Sequence, residues 1–384
     1  MQEYSTIIGK LLSGVNRKKF KRLVDKYNGD FAYKKLSCWE QFVAVFLGQI
    51  TTCSSLRDIV EFVKFQPNQQ YHLGIKKDIA RSTLAKANET RDWKIYRDLF
   101  FDLVKTVNSK AFNEAKDVIK IIDSTPIILN FNQHDWAGKC RTFNGLKTHV
   151  VYDSTKNMPT NFTFTNANVS DIKEARTFEI EENCTYIVDR AYLDFNWLKK
   201  IDDVGSFFVT RLKRNSAITA ITELQQTNEQ VSSQIVEFTR RWNRGIINNY
   251  HQKPLKKVVV QRKDRGPLIL ITNDFKRSDE EIAELYKQRW QIELFFKWIK
   301  QNLKIKKFLG RSENAIKIQI CIAMISFVLL KFSEELKEIC KNLPTKIILK
   351  LIGNNLFKCL QLRERGRKRW KDPNQLQFEW NFAV

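Results

Sequence analysis

The sequence predicts a mixed α/β domain built on a central sheet, preceded by a helical region and interrupted by a β-rich insertion. Three observations carry that prediction. The periodicity switches from helical to strand-like at residue 118, helical patterns return after Asp171 and after Leu193, and a polar, alternating stretch breaks the grammar between about 213 and 268.

Taken in order, residues 1–75 read as short helices, with Arg17-Lys18-Lys19-Phe20-Lys21-Arg22 mixing charge into apolar spacing and a strongly apolar segment over 39–47. Residues 76–116 continue as a second helical stretch, opened by Ser82-Thr83-Leu84-Ala85, and are expected to form a linker region. Residues 117–384 form the α/β part. Strands are expected at 118–122, 146–153, 161–165, 186–188 and 206–210, each short enough to cross a sheet once. The interruption over 213–268 contains Ile235-Val236-Glu237-Phe238 and Lys256-Lys257-Val258-Val259-Val260, so it is read as a β-rich insertion. A long helix is expected over 278–303, and the apolar run 320–330 reads as a buried helix, since a bilayer span needs roughly 20 residues.

Composition narrows the partners. Lysine and arginine number 66 against 42 acidic residues, a formal charge of +24, which favours a polyanion because each cation placed on a phosphate releases condensed counterions. The basic residues are spread over several segments, including Arg363-Glu364-Arg365-Gly366-Arg367-Lys368-Arg369, rather than confined to one amphipathic helix, so a membrane surface is not expected. Residues 1–75 therefore read as a compact helical DNA-binding module, although a solvated basic helix face has the same pattern. The seven cysteines are widely spaced with no Cys-x-x-Cys pair, which predicts reduced thiols in a cytosolic protein and no structural zinc. The four histidines lack metal-ligand spacing, which disfavours a histidine-based mechanism.

Three acids carry the chemistry. Asp123 follows the run Val118-Ile119-Lys120-Ile121-Ile122, and Asp189 follows Tyr186-Ile187-Val188, so each should close a buried strand. An isolated aspartate there is an ordinary turn former. Two on neighbouring strands, however, would bring hard oxygen ligands together, as magnesium requires. On the expected 278–303 helix, Tyr286, Arg289, Glu293 and Lys300 fall within about 60° of arc at 100° per residue. The Arg289 and Glu293 spacing would equally serve an i,i+4 salt bridge. Two carboxylate-held metals about 3.5 to 4 Å apart can activate an attacking oxygen and stabilise the leaving oxygen of a phosphodiester, with Arg289 and Lys300 on the flanking phosphates.

Tyr286-x-x-Arg289-x-x-x-Glu293-x-x-x-x-x-x-Lys300 resembles, without gaps, the YREK signature of DDE transposases from bacterial insertion sequences. Asp123 and Asp189-Arg190-Ala191-Tyr192 resemble the first and second aspartate motifs of that family. The separation of 104 residues from Asp189 to Glu293 resembles members with a β-rich insertion before the glutamate. The resemblance covers roughly 118–330. It implies a ribonuclease-H-like catalytic fold, two Mg2+ (or Mn2+) ions, and cut-and-paste movement of an element with terminal inverted repeats into target DNA. It also implies a homodimer in the synaptic complex, and a bacterial cytoplasmic protein associated with the nucleoid when bound to DNA. By the same resemblance Tyr286, Arg289, Lys300 and Arg190 contact DNA, and Trp242 is the candidate to hold a flipped base, although a tryptophan in a β-rich domain is also an ordinary core residue. Serine at position 170 departs from the histidine that many relatives carry before the aspartate. A nuclease of the same fold, or a catalytically silent DNA-binding regulator, are the alternative outcomes.

Overall fold

The computed structural model describes residues 6–31, 35–66, 70–71, 73–110, 117–138, 143–213, 216–239, 242–243, 246–247, 250, 253–263, 265–305, 307–333, 349 and 352–357. The basic tail at 363–369 lies outside the described residues. The chain divides into two compact units: Met1–Phe112 with Asn130–Trp136 and Lys297–Val384, and Asn113–Leu129 with Ala137–Phe296.

The first unit is helical. Helices Ile7–Ser13, Arg17–Lys26, Cys38–Ile50, Leu56–Lys64, Arg81–Thr90 and Lys94–Lys110 gather with Glu313–Phe332, which packs against Cys38–Ile50, Arg81–Thr90 and Lys94–Lys110. Asn16, Ser37 and Ser55 each accept a backbone N–H of the first turn they precede, satisfying donors that the helix cannot. Glu313–Phe332 contains the expected apolar run and is buried along most of its length, so although it is long and apolar enough to cross a membrane it serves as the core helix of this unit. Two boundaries differ from the sequence reading. The helices over 81–110 share this core instead of forming a separate linker, and residues 297–333 join it instead of the α/β part. The reason is burial: Ile95, Leu99, Phe100, Phe42, Phe46 and Ile325 are all nearly inaccessible, and each helix alone would expose them.

The second unit is built on one sheet. Its strands are β1 (Val118–Ile128), β2 (Gly145–Asp153), β3 (Met158–Asn166), β4 (Cys184–Val188), β5 (Phe207–Arg211), β6 (Ile218–Ala220), β7 (Gln225–Gln226), β8 (Val231–Phe238), β9 (Trp242–Asn243), β10 (Ile246–Ile247), β11 (Leu255–Arg262) and β12 (Arg265–Thr272). Ten belong to a sheet ordered β3-β2-β1-β4-β5-β12-β11-β8-β6 with β7 on β8, and β9 pairs with β10 apart from it. Strands β1, β4 and β5 run parallel while β2 and β3 run antiparallel to each other, β2 lying antiparallel beside β1. This mixed sheet, with helices Asp171–Ala175 and Phe195–Asp203 between its strands, is the ribonuclease-H-like arrangement expected. The expected β-rich insertion is present, and its main strands extend the same sheet through the β5–β12 pair.

Gly145 fixes the register of β1 against β2. It opens β2 at φ +148°, and a Cβ there would run into the Ile127 carbonyl. With this register Asp123 stands opposite Val150 and Ser124 opposite His149.

Candidate active site

Asp123 and Asp189 are brought together by strand register. Ile121 of β1 pairs with Ile187 of parallel β4, and Ile122 with Val188, so two residues on from the first pair both aspartates return to one face. Adjacent strands lie about 4.8 Å apart. Beyond Val188 the chain turns away through a 3-10 turn, Arg190–Tyr192, which leaves the edge of β1 open at Asp123. The Asp189 carboxylate caps that turn, accepting the Arg190 N–H at 2.6 Å. Asp123 accepts the Ser124 N–H at 2.8 Å.

Glu293 comes from a helix on the same face. Tyr152, two residues from Val150 along β2, meets Phe295 at 5.2 Å between ring centroids. The expected single helix over 278–303 is two helices, Asp279–Lys287 and Trp290–Asn302, joined by a tight turn in which the Arg289 N–H donates to Tyr286 and the Gln291 N–H to Gln288. Gln288 and Gln291 both accept from the Ser154 hydroxyl, at 2.7 and 2.9 Å, which ties the turn to the end of β2. The hundred-degree arithmetic therefore holds within each piece but not across the break. Arg289 and Glu293 remain paired at 2.5 Å, and the same Nη1 atom lies 3.9 Å from Asp123.

The charges follow from this crowding. Burial first, with Glu293 and Asp189 adding to it and the Ser124 N–H and Arg289 opposing it, pushes the Asp123 carboxyl up to about 6. Burial works against the Arg289 guanidinium, but its hydrogen bond to Glu293 and the surrounding negative charge outweigh that, so its pKa is raised. Tyr286 is buried beside Arg289, and burial lifts its phenol to about 12, with Asp189 adding to the rise and Arg289 and Arg211 opposing it.

The other expected residues stand as follows. Arg190 is exposed immediately after Asp189. Lys300 lies further along the Trp290–Asn302 helix, half-buried, in the first unit. Trp242 has its backbone in β9, paired with Ile247. Several neighbours were not singled out by the sequence. The Ser124 hydroxyl donates to Asp171 at 2.9 Å, and Lys147 donates to the same Asp171 oxygen at 3.1 Å and to the Val169 carbonyl at 2.8 Å. Ser124 thus joins the two sides of the sheet, its N–H to Asp123 and its hydroxyl to Asp171. His149, buried opposite Ser124, bonds Thr165 at 2.7 Å, and burial lowers its pKa. Tyr192 is buried with its hydroxyl beside Ser124 and near Asp123, and its pKa is raised by burial first. Trp290, next to Arg289, is an exposed indole.

The donor set suits a hard divalent cation: three carboxylates, one of them holding its proton to about pH 6, chiefly because it is buried and further because its neighbours are also acids. Among the described residues no three acidic, histidine or cysteine side chains stand close enough together to ligate one ion in this arrangement. Arg289 supplies the positive charge that bridges Asp123 and Glu293.

Residues 114–329 match the model of the transposase DDE domain, and residues 3–76 match that of a domain of unknown function, DUF4372. The chain is 36% identical to the transposase y4zB of Sinorhizobium fredii over 67% of this chain and 72% of that protein. It is 27% identical to a transposase for insertion sequence element IS5377 of Geobacillus stearothermophilus, over 65% of this chain and 66% of the relative. It is 26% identical to a transposase for insertion sequence element IS4SA of Synechocystis, over 83% and 88%. Among solved structures it is similar to piggyBac transposase in a synaptic complex with hairpin DNA, with a TM-score of 0.47 and 11% identity over 92% of this chain and 80% of that one. A catalytic-domain match spanning Asp123, Asp189 and Glu293, with relatives that are insertion-sequence transposases, places the chain plainly: it belongs to the DDE transposases of bacterial insertion sequences.

Proposed function

We propose that this chain is the transposase of the YREK-signature group that cuts DNA at the ends of its own insertion sequence and joins the freed 3′-hydroxyl to target DNA. The observation that carries the reading is the convergence on one sheet face of Asp123 within β1, Asp189 just past the end of β4 and a helix-borne glutamate, with Arg289 between Asp123 and Glu293. Asp123, Asp189 and Glu293 would hold two divalent ions, Mg2+ or Mn2+, which when bound supply Lewis-acid activation of the attacking oxygen and stabilisation of the leaving oxygen.

The protein's own groups do the rest. Arg289, a planar fork already among the acids, turns to clamp a non-bridging phosphate oxygen bidentately when the acids are otherwise neutralised. Tyr286 keeps its proton at neutral pH, since its pKa is about 12, and so donates a hydrogen bond to the DNA backbone. Lys300 offers a point charge and Arg190 an exposed one. Trp242 is assigned to a flipped base, and the exposed Trp290 indole offers a second face on which a base stacks. The partners are duplex DNA with terminal inverted repeats and a target duplex, held by a homodimer in the synaptic complex, in the bacterial cytoplasm.

The test is magnesium-dependent cleavage of a duplex carrying the inverted repeat that flanks the gene. Asp123→Ala, Asp189→Ala and Glu293→Ala should each lower the cleavage rate by about three orders of magnitude or more while DNA affinity stays within a few-fold. Any one of them cleaving at the wild-type rate removes its residue from the site. Joined products from the wild type distinguish strand transfer from hydrolysis alone.

A further inference from the structure

The first unit holds a cleft in which three cations from distant parts of the chain meet without an acidic counterpart. Arg57 stands at the start of the Leu56–Lys64 helix, Arg81 begins the Arg81–Thr90 helix, and Lys307 lies between the Trp290–Asn302 and Glu313–Phe332 helices. With Ser54, Ser55 and Phe308 they line a cleft of about 440 Å³. All three are exposed, and among the described residues no carboxylate pairs with any of them. The acid of the same segment, Asp58, is engaged by the N–H and hydroxyl of Ser54, at 2.8 and 2.9 Å.

The cleft is rigidly built. The segment carrying Lys307 is clamped from beneath by two glutamines of the helical core, Gln49 and Gln319, which are 3% and 2% exposed. Gln49 accepts the Lys304 N–H at 2.8 Å, Gln319 accepts the Leu309 N–H at 2.9 Å, and the Gln319 amide donates to the carbonyls of Lys307, at 3.1 Å, and Lys304. Lys304 in turn reaches back, its ammonium donating to the carbonyls of Thr51 at 2.8 Å and of Cys53. Burying polar side chains is costly unless they are bonded, and here the Gln49 carbonyl oxygen and both ends of the Gln319 amide hold a loop backbone in place. The result is a preformed seat whose like charges repel one another until an anion enters.

We propose that this cleft seats a backbone phosphate of the duplex on which the transposase acts, making residues 54–57, 81 and 307–309 a DNA contact that belongs to the first unit. The proposal rests on the reading that the chain binds DNA, and it adds where the helical unit does so. Phosphate, not a base edge, is the ligand, because the lining offers cations and hydroxyls and no carboxylate or amide that would distinguish bases.

The experiment measures binding of full-length protein to a duplex taken from the DNA flanking the gene, across a salt series. The variant R57A/R81A/K307A should bind at least about tenfold more weakly near 0.1 M salt, and the slope of log affinity against log salt should fall by about 0.9 for each phosphate that is no longer neutralised. A control, K64A/K77A/K86A, removes equal charge from exposed sites of the same unit outside the cleft and should move the slope less than half as far. R57K/R81K should keep the slope. All the substitutions are on exposed side chains, and thermal melting confirms that the fold survives. A triple variant whose slope equals that of the wild type, or that matches the control, overturns the cleft alone. A wild-type chain that binds no duplex overturns both the cleft and the proposed function.

Discussion

Two arginines beside carboxylates, one in each unit, show what separates a structural group from a working one. Arg91 of the helical unit is inaccessible, and its guanidinium is spent on fixed acceptors: the Gly29 and Leu36 carbonyls, Gln41 at 2.9 Å and Asp30 at 3.2 Å. Gln41 is itself held by Tyr96 at 2.8 Å and Asn88 at 2.7 Å, so the network closes on itself. Arg289 of the α/β unit is 16% exposed, and it faces Glu293, Asp123 and the Tyr286 phenol, all in or beside the proposed site. Its acceptors are groups a cation can take away, whereas Arg91 is held by two backbone carbonyls as well as by the side chains of Gln41 and Asp30. The first arrangement stabilises one conformation; the second leaves charge available for exchange.

The largest effect on stability is expected at Arg91. Arg91→Met strips a buried cation from its acceptors and should cost about 3 to 5 kcal/mol in urea unfolding. A loss below 1 kcal/mol would mean the network is ornamental. Arg289→Ala should behave oppositely, leaving the unfolding midpoint nearly unchanged but slowing DNA cleavage by about 10² to 10³, the range for losing one preorganised transition-state donor. If it unfolds the protein instead, the contrast between the two arginines is lost.

Asp123 offers a finer test of the working side. The native protein keeps this proton to about pH 6, while an unfolded aspartate releases it near 3.8. Between those values the native state binds more protons, so stability falls as pH rises through the window and stays lower above it, by at most about 3 kcal/mol. Asp123→Asn cannot lose the proton, so without divalent ions it should melt a few degrees higher than the wild type at pH 7.5, and the gap should close below about pH 4. An equal gap at both pH values would contradict the electrostatic origin. The smallest effect belongs to Ser124→Ala and Asp171→Ala, each of which removes the hydrogen bond between Asp171 and the hydroxyl of Ser124, the residue whose N–H holds Asp123. Each should slow cleavage by about three- to tenfold, and the double variant should be no slower than the worse single one. Additive losses would show that the two residues act separately.

Much of this is legible in the sequence because it is local. Apolar runs such as 118–122 and 186–188 announce strands by period and lead to their aspartates, although Asp123 does not close its strand as expected, since pairing with β2 carries β1 on to Ile128, and the glutamate motif marks its helix. What is not legible depends on partners far along the chain. The break at Gln288 and Arg289 arises where Ser154, over a hundred residues earlier, bonds Gln288 and Gln291, and no propensity at the break announces it. Asp171 stands out in the sequence only for the serine before it, since its bonds to Ser124 and Lys147 follow from the β1–β2 register and the placement of a five-residue helix. The helices over 81–110 and 313–332 share a core because their apolar faces are complementary in three dimensions, and amphipathic periodicity states that a face exists but not whom it meets.

The pairing of β12 with β5 has a consequence for how such chains change length. The excursion that begins after Arg211 returns antiparallel beside it, with Leu270 opposite Arg211, so its exit and re-entry points are neighbours. Whatever is spliced between them hangs from a closed gate, and lengthening or trimming it need not disturb the strands that present the two aspartates. The number of residues separating the second aspartate from the glutamate is thus free to drift, and the outlying strands can be rebuilt for a new task without renegotiating the chemistry.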